Sequence, residues 1–413
     1  MERTCGLQAV AVHAHSAPMI SDLPSLRLQP GRDKRVALGH PWAFSNELAI
    51  DASAKALPPG SLVRLLRTDG KVFGTAMFNM NSLIAARLLC RDERPIDETF
   101  FETRLRAALS LREKLFPTPH YRLVHAEADG LPGLVIDRYG DVLVVQVNTA
   151  GMERLQPLWL AALDEVLAPR TVILRNDSSI RTLEGLPLEV TIAKGTAADT
   201  VTLQENGTTF VAEPLGGQKT GFFFDLGPAR HFMALLARGG TMLDMYCHTG
   251  AFGVQAAVAG ATHVTAIDRS DSAITLARAS AEANGVTGRM TFASDDAFTR
   301  LEALAAENAR FDVVVVDPPS FVKRAKELAS GIKGYRKLAR LAAPLVSRGG
   351  FLFIASCSHH VPVEGFADEV RRGLQAAGRE GRIIATGGAG PDHPTHPWLP
   401  ESAYLKWQVI ALN

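Results

Sequence analysis

Two short stretches of the sequence place reactive side chains at the end of an apolar run. In FDVVVVDPPSFVKR (311–324) the run leads to Asp317 and two prolines, and in FLFIASCSHH (351–360) it leads to Cys357. Such runs are typical of buried strands, and open α/β sheets bind ligands at the carboxyl ends of their strands. Asp317 is therefore either a ligand-binding carboxylate or a cap at a stiff strand exit. Cys357 is either a nucleophile or a small core residue.

A third stretch, LDMYCHTGAFGVQAAVAGATHVTAIDRS (243–270), is typical of a cofactor-binding turn. A strand ends at Asp244, a turn carries Gly250, and a second strand ends at Asp268. Glycine lets the backbone approach a ligand at a helix N-terminus, and Asp268 is placed to accept ribose hydroxyls. The dinucleotide pattern G-x-G-x-x-G is absent, and Asp244 would repel a pyrophosphate. Asp244 suits the cationic S-adenosylmethionine, and a structural turn with a surface aspartate is the alternative.

The stretch SDDAFTRL (294–301) follows the third strand of this region. We expect Asp296 to reach an adenine amino group and Asp295 to be a solvated acid at a helix start. In GQKTGFFFDLGPAR (217–230), we expect Lys219, Thr220, Phe222 and Arg230 to line the cofactor pocket. The predicted contacts of S-adenosylmethionine are Asp244, Tyr246, Thr249, Gly250, Asp268, Arg269, Asp296 and Asp317.

The elements that position these residues follow from the apolar pattern. Strands predicted at 241–246, 263–268, 312–317, 350–356 and 404–411 alternate with Ala-rich helices, which indicates a doubly wound, mostly parallel sheet. Upstream, the pattern predicts a helix and several β elements. They are hairpins at 60–79, 130–148 and 199–215, strands at 82–91 and 171–175, and helices at 98–116 and near 151–167.

Composition sets the broad class of protein. The chain has 413 residues, 46% of them apolar and 21% charged, as in a globular protein of two or three domains. It has no apolar run long enough for a membrane span, and residues 1–22 lack the features of a signal peptide. Four dispersed cysteines without a CxxC pair argue against a disulfide framework or a zinc site, and we expect no metal and a cytoplasmic location.

Several long motifs in the same order resemble one family. They are HPWAFSNEL, DGLPGLVIDRYGD, GQKTGFFFDLGPAR, DMYCHTGAFG, DPPSF, SCS and DHPTHPWLPESAYLK. Residues 216–357 resemble a class I S-adenosylmethionine-dependent methyltransferase. Residues 25–413 resemble, more narrowly, the bacterial large-subunit ribosomal RNA 5-methylcytosine methyltransferases with an N-terminal PUA domain. The implied fold is α/β, with a C-terminal Rossmann-like seven-stranded methyltransferase domain preceded by a small β-rich PUA-like domain and a small α/β middle domain.

The implied domains are given by residue number. We expect a disordered extension at 1–24, a PUA-like RNA-binding domain at 25–95, a middle domain at 96–198, and a hairpin plus methyltransferase domain at 199–413.

The resemblance implies methyl transfer to carbon 5 of a cytosine. Cys357 would add to carbon 6, and Asp317 would hydrogen-bond N3 and the 4-amino group. Most 5-methylcytosine enzymes carry a second cysteine after the fourth strand, where this chain has Asp317.

The target base must be single-stranded or flipped, so binding energy must come from RNA contacts elsewhere. KRAKELASGIKGYRKLAR (323–340) is rich in Lys and Arg, and RLQPGRDKR (27–35) is a second basic run. A solvated helix face is the alternative for each run. The predicted substrate contacts are Pro318, Pro319, Phe321, Lys323, Arg324, Lys333 and Lys337. The predicted partner is large-subunit ribosomal RNA, with no membrane, and a homodimer is left open.

Two rival functions remain from the sequence. One is a methyltransferase acting on a base nitrogen, with Cys357 structural. In such enzymes an aromatic residue directly follows the prolines, whereas here Ser320 intervenes before Phe321. The other is a non-catalytic RNA-binding protein that retains a cofactor pocket.

Overall fold

The structure, a computed structural model, describes residues 22–413. The extension predicted at 1–24 lies almost entirely outside the described residues, as does Cys5. No helix within residues 22–413 is long and apolar enough to cross a membrane.

The first part of the chain forms a six-stranded sheet in the order β2-β6-β5-β4-β1-β3. Its elements are β1 (Ser25–Leu28), α1 (Lys34–Ala37), β2 (Trp42–Ala43), β3 (Leu48–Ala49), α2 (Ala52–Lys55), β4 (Ser61–Leu66), β5 (Val72–Phe78) and β6 (Ala86–Cys90). The predicted hairpin at 60–79 is confirmed as β4 and β5, which pair antiparallel. The predicted strand at 82–91 is shorter, because the backbone N–H of Ser82 donates to Asn79 in a turn before β6 begins.

The middle of the chain forms a five-stranded sheet in the order β11-β10-β9-β8-β7, with a long helix packed against it. Its elements are α3 (Glu98–Leu115), β7 (His120–His125), β8 (Leu134–Tyr139), β9 (Val142–Val147), α4 (Ala150–Arg154), α5 (Gln156–Leu167), β10 (Thr171–Asn176) and β11 (Glu189–Lys194). Helix α3 begins after Asp97, whose carboxylate caps it by accepting the Phe100 N–H, and ends before Pro117 as predicted. Strands β7 and β11 were not predicted from the sequence.

A two-stranded hairpin, β12 (Val201–Glu205) and β13 (Thr208–Ala212), leads into the last sheet. Its turn at Asn206-Gly207 has both residues at positive φ, as a two-residue hairpin turn requires. The hairpin packs on the seven-stranded sheet, where the backbone N–H of Val211 donates to Ser280.

The seven-stranded sheet has the order β16-β15-β14-β17-β18-β20-β19. Its elements are α6 (Gly227–Leu236), β14 (Thr241–Met245), α7 (Ala251–Ala259), β15 (His263–Asp268), α8 (Asp271–Ala283), β16 (Met290–Ser294), α9 (Ala297–Ala306), β17 (Phe311–Val316), α10 (Leu328–Gly331), α11 (Lys333–Ala342), β18 (Val346–Ser356), α12 (Val363–Ala376), β19 (Gly381–Gly387) and β20 (Lys406–Leu412). The first five strands are parallel, and β20 is antiparallel to both β18 and β19. This confirms the predicted doubly wound sheet, although β19 was not predicted.

Alternate residues of the central strands pack on opposite faces of this sheet. Val313 and Val315 of β17 belong to the buried cluster beside α7 and α8, whereas Val314 and Val316 belong to the cluster beside α11 and α12. Strand β17 lies between β14 and β18, as its unbroken valines predict. Burial on both faces fixes where each strand ends. It therefore also fixes the position of the residues that directly follow each strand.

The segment between β19 and β20, residues 388–405, is called the strap. It crosses from the seven-stranded sheet to the first and middle parts of the chain. The ring of His393 lies 5.0 Å from that of His125 in the middle sheet. Trp398 packs so closely on Gly39, in the turn between α1 and β2, that a Cβ at Gly39 would lie 2.3 Å from the indole. The strap thus contacts the middle sheet and the first part of the chain.

Candidate active site

The turn between β14 and α7 has an unusual backbone. Tyr246 and His248 have positive φ, and Gly250, at φ +75°, caps the start of α7. A Cβ at Gly250 would lie 3.1 Å from side-chain atoms of Val254 and Ala277, so glycine is required by both conformation and space. The left-handed residues turn the chain back over the strand ends and bare the first N–H groups of α7.

Asp244 is buried behind this turn. Its Oδ2 accepts the N–H of Gly253 at 2.8 Å, which braces α7 against β14. Burial, with the nearby charges of Asp317 and Asp268, raises the pKa of Asp244 to about 7. A carboxylate with so much desolvation is stabilised by a cation placed next to it.

Asp268 lies at the end of β15 and faces the same turn. Its Oδ2 accepts the N–H of His248 and its Oδ1 accepts that of Ser270, each at 3.0 Å. The carboxylate is half-buried, so part of its surface is open to a ligand, while the neighbouring Arg269 is exposed. The turn and Asp268 therefore form one unit.

Of the two acids before α9, the second is the one that caps the helix. Asp296, not Asp295, caps the helix: its Oδ1 accepts both the N–H and the hydroxyl of Thr299. These bonds lower the pKa of Asp296, which is exposed. The prediction that Asp295 is the helix-start acid is wrong in this respect. Asp296 remains available at the sheet edge as a proposed adenine contact.

A buried hydroxyl in the turn has no partner. Oγ1 of Thr249 is inaccessible to solvent and makes no hydrogen bond within the described part of the chain. Buried polar groups are rarely left unpaired, so this atom indicates a ligand group that completes the site. Together with the glycine cradle and the acids Asp244, Asp268 and Asp317, it fits a polar, cationic nucleoside such as S-adenosylmethionine.

Asp317 and Cys357 follow the neighbouring parallel strands β17 and β18. The Sγ atom of Cys357 lies 4.0 Å from the carbonyl oxygen of Pro318. Burial and the charge of Asp225 raise the pKa of Asp317 to about 7. Burial and the charge of Asp317 raise the pKa of the Cys357 thiol to about 11. In the free protein the thiol is therefore protonated, and Asp317 is near its midpoint at neutral pH.

Two residues at this site, Asp225 and Tyr404, were not assigned to it from sequence, and they act there together with Lys219, which was expected at the pocket. Asp225 is buried and accepts a hydrogen bond from the hydroxyl of Tyr404, and Lys219 places its ammonium 4.9 Å from the centre of the Phe223 ring. The charges of Asp225 and Lys219 both act on Asp317 and on Cys357. Asp225 lies within the GQKTGFFFDLGPAR motif and Tyr404 within the DHPTHPWLPESAYLK motif of the strap, so each motif could have indicated its residue.

Other residues of the GQKTGFFFDLGPAR motif have structural roles instead. Oγ1 of Thr220 donates to Asp137 of the middle sheet at 2.5 Å, and Phe222 is in the core. Arg230 is buried in a bidentate ion pair with Glu205 of the hairpin, at 2.6 and 2.7 Å. Thr220 and Arg230 are thus bonded within the chain and Phe222 is packed in the core, although the charge of Arg230 still acts on Asp244 and Asp317. Their place in the cofactor pocket stays a prediction.

Histidine does not activate the cysteine in this structure. His359 packs its ring 5.2 Å from that of Tyr404, and burial lowers its pKa. A neutral imidazole supplies no positive charge to a neighbouring thiol.

The loop after Asp317 carries the predicted substrate contacts. Pro318 is buried and Pro319 is exposed, while Phe321 stacks on Phe298 with ring centroids 6.1 Å apart. Lys323 and Arg324 are exposed beside it. The stacked ring of Phe321 therefore lies in the same loop as the exposed cationic side chains of Lys323 and Arg324.

Helix α11 carries the other two predicted RNA contacts, Lys333 and Lys337, and only one of them has an ion-pair partner within the described part of the chain. Lys333 is exposed at the start of the helix. Lys337 lies 3.8 Å from Glu302 and 4.5 Å from the centre of the Phe298 ring. Lys337 is therefore partly committed to contacts within the chain.

No group of three or more potential metal ligands occurs among the residues from 22 onwards.

Comparison with known proteins agrees with this geometry. Residues 146–372 match the S-adenosylmethionine-dependent methyltransferase family, and residues 26–91 match a PUA-like domain. A putative methyltransferase from Streptococcus mutans shares the fold, with a TM-score of 0.79 and 21% identity over 94% of this chain and 100% of that one. SMU.776, a putative methyltransferase complexed with SAH, gives a TM-score of 0.81 at 22% identity over the same shares.

The fold and the site thus define an S-adenosylmethionine-dependent methyltransferase, and S-adenosylmethionine is its cofactor. The ribosomal RNA large subunit methyltransferase I of Aeromonas hydrophila is 35% identical over 94% of this chain and 98% of its own. That of Shewanella amazonensis is 34% identical over 93% and 98%. The chain belongs to the family of ribosomal RNA large subunit methyltransferase I.

Proposed function

We propose that this protein transfers a methyl group to carbon 5 of a cytosine in large-subunit ribosomal RNA through a covalent bond to Cys357. The observation that carries the proposal is the position of the Cys357 thiol beside the Pro318 carbonyl, next to Asp317. The names of the related proteins support ribosomal RNA as the substrate. On this proposal the protein works in the cytoplasm, where bacterial ribosomal RNA is found.

Carbon 5 of cytosine is a poor nucleophile. Addition of the Cys357 thiolate to carbon 6 makes carbon 5 nucleophilic. Formation of the S–C6 bond makes an enamine whose carbon 5 takes the methyl group that the cofactor supplies as an electrophile. The proton on carbon 5 then passes to a base, the C5–C6 double bond reforms, the S–C6 bond breaks and the proton at N3 returns to its donor. The groups needed for this sequence are a thiolate at carbon 6, a proton donor at N3 and a base that accepts the carbon-5 proton.

Asp317 suits the role at N3 because its pKa is about 7. A neutral carboxylic acid donates a hydrogen bond to N3, which withdraws electrons from carbon 6 as the sulfur attacks. The same contact removes the negative charge of Asp317, which after burial is the largest cause of the raised pKa of Cys357. Substrate binding therefore favours the thiolate, while in the free protein the thiol is largely protonated and reacts slowly.

The experiment is to offer RNA that carries 5-fluorocytidine at the target position. Fluorine replaces the proton that must leave, so the S–C6 bond cannot resolve and a stable protein–RNA adduct accumulates. Cys357→Ala should abolish both the adduct and methyl transfer to ordinary RNA. Cys247→Ala is the matched control, because Cys247 is buried at the cofactor turn and we expect it to keep adduct formation.

The raised pKa of Cys357 also favours a second candidate, methylation of a base nitrogen with Cys357 structural, since a protonated thiol is not a nucleophile. Methyl transfer by Cys357→Ala at a rate near that of the wild type would establish that candidate. Binding of the cofactor and RNA without any turnover would instead indicate a non-catalytic RNA-binding protein. A homodimer stays a prediction, to be tested by the mass in solution.

A further inference from the structure

Four hydroxyl groups form a continuous hydrogen-bonded chain beside the proposed reacting residues. We call Ser356, Tyr335, Ser358 and Ser320 the hydroxyl chain. Successive oxygen atoms of these residues lie 2.8 Å apart at each of the three steps. Ser356, Ser358 and Tyr335 are fully buried. The chain joins the loop after Asp317 to the loop after Cys357 and passes through helix α11.

The direction of every hydrogen bond in the hydroxyl chain follows from counting protons. Ser320 donates its single proton to the carbonyl oxygen of Val322 at 3.0 Å. Ser358 must therefore donate to Ser320, and Tyr335 must donate to Ser358. Ser356 in turn donates to Tyr335. Burial raises the pKa of the Tyr335 phenol, so it keeps its proton. All four protons are used, and the loss of the Tyr335, Ser358 or Ser320 hydroxyl leaves the hydroxyl that donates to it without its acceptor.

Lys406 fixes the cysteine loop from the adjoining strand. Its Nζ donates to the carbonyl oxygens of Ser358 at 2.6 Å and Val361 at 2.8 Å. Lys406 is 5% exposed. The residue after Cys357 is thus held through its carbonyl by Lys406 and through its hydroxyl by Tyr335 and Ser320.

We propose that the hydroxyl chain sets the position of the Cys357 thiol relative to the loop that carries Asp317, with Tyr335 and Ser358 as positioning residues. The inference rests on the function proposed above. Ser320 lies three residues after Asp317, and Ser358 directly follows Cys357. Their contact therefore links the two loops beyond the ends of β17 and β18, together with the weak contact of the Cys357 thiol with the Pro318 carbonyl. It also accounts for a serine rather than an aromatic residue after the two prolines.

The test is Tyr335→Phe, which keeps the ring and removes the hydroxyl. Tyr121→Phe is the matched control, since Tyr121 is also buried in the middle sheet and its hydroxyl accepts one hydrogen bond, from the guanidinium of Arg138 at 2.9 Å. We expect Tyr335→Phe to slow formation of the 5-fluorocytidine adduct by about 10- to 100-fold, because displacement of a reacting atom by about 1 Å has effects of this size. The affinity for S-adenosylhomocysteine should stay near wild type.

A second measurement separates positioning from a general loss of structure. Iodoacetamide alkylates Cys357 without RNA, and peptide mass spectrometry identifies the labelled cysteine. A loosened loop exposes the thiol, so Tyr335→Phe should be alkylated faster while it forms the adduct more slowly. Tyr121→Phe should change neither rate, although it loses similar stability. A residue that only activates the thiol would slow both reactions in its variant.

Ser320→Ala gives an independent check and replaces Tyr335→Phe if that variant does not fold. Because both residues belong to one chain of bonds, the double variant should be little slower than the slower single variant. Adduct formation and alkylation at wild-type rates in either folded variant would overturn the inference. If the wild type itself forms no adduct, the proposed function fails, whereas the alkylation rates still show whether the hydroxyl chain holds Cys357.

Discussion

Asp392 of the strap is bonded to two arginines of the middle region. Its Oδ2 accepts the backbone N–H of Arg122 at 3.0 Å, and its backbone carbonyl accepts from the guanidinium of Arg112 at 2.9 Å. Its Oδ1 lies 2.9 Å from Nδ1 of His393, and both side chains are buried. The strap that supplies Tyr404 to the site is therefore anchored outside the seven-stranded sheet.

We predict that Asp392→Ala lowers the free energy of unfolding by about 2–4 kcal/mol, because it leaves buried donors unpaired. Chemical denaturation measures this change. Asp368→Ala is the control, since Asp368 forms only an exposed pair with Arg371 and should cost less than about 0.5 kcal/mol. Equal effects of the two variants would show that the strap is not anchored by Asp392.

Asp268→Ala should weaken binding of S-adenosylmethionine about 10- to 100-fold in calorimetry. The variant loses a proposed ribose contact and the acceptor for the N–H groups of His248 and Ser270, which hold the turn. Asp271→Ala, at an exposed site three residues later, should bind normally. Unchanged affinity in Asp268→Ala would mean that the nucleoside lies elsewhere.

The ligand-free protein should gain stability from Asp244→Asn at alkaline pH. The folded pKa of Asp244, about 7, lies above its ordinary value of 3.8, so the folded state holds this proton more tightly. The stability linked to that proton is complete below pH 4 and is lost as the pH rises through 7. At pH 8 the wild type bears the full cost of the buried charge, up to about 4 kcal/mol for three pKa units.

Asparagine carries no such charge and can still accept the Gly253 N–H. The Tm advantage of Asp244→Asn should therefore be largest at pH 8 and shrink toward pH 5. Differential scanning fluorimetry across this range measures it. An advantage that is the same at every pH would show that the Asp244 carboxyl does not titrate near 7.

Removal of the exposed cations beside the site should weaken RNA binding and flatten its salt dependence. If Lys323, Arg324 and Lys333 contact phosphates, their joint replacement by Ala should reduce the slope of log affinity against log salt by about 2–3. Cofactor affinity should barely change. The matched control replaces Arg310, Arg348 and Arg382, which are exposed toward the other edge of the sheet. Equal losses in both triple variants would indicate a nonspecific effect of charge.

The sequence predicts the seven-stranded sheet well because both faces of its central strands are buried. The valines of β17 and the apolar run of β18 identify interior strands, and the residues that follow each run must lie at one edge. Strands β11 and β19 were not predicted, because they lie at sheet edges and most of their side chains are exposed. Their pairing is decided by the neighbouring strand and not by their own apolar pattern.

The sequence by itself determined the doubly wound fold, the glycine turn, and the placement of Asp244, Asp268, Asp317 and Cys357 after successive strands. Only the tertiary structure decided which side chains are free. Arg230 forms an ion pair with Glu205, and Thr220 donates a hydrogen bond to Asp137. Tyr404 donates a hydrogen bond to Asp225, although 179 residues separate the two along the chain. The physical reason is range: strand ends follow from local burial patterns, whereas a hydrogen-bond partner and a pKa depend on groups brought together by the packing of distant segments.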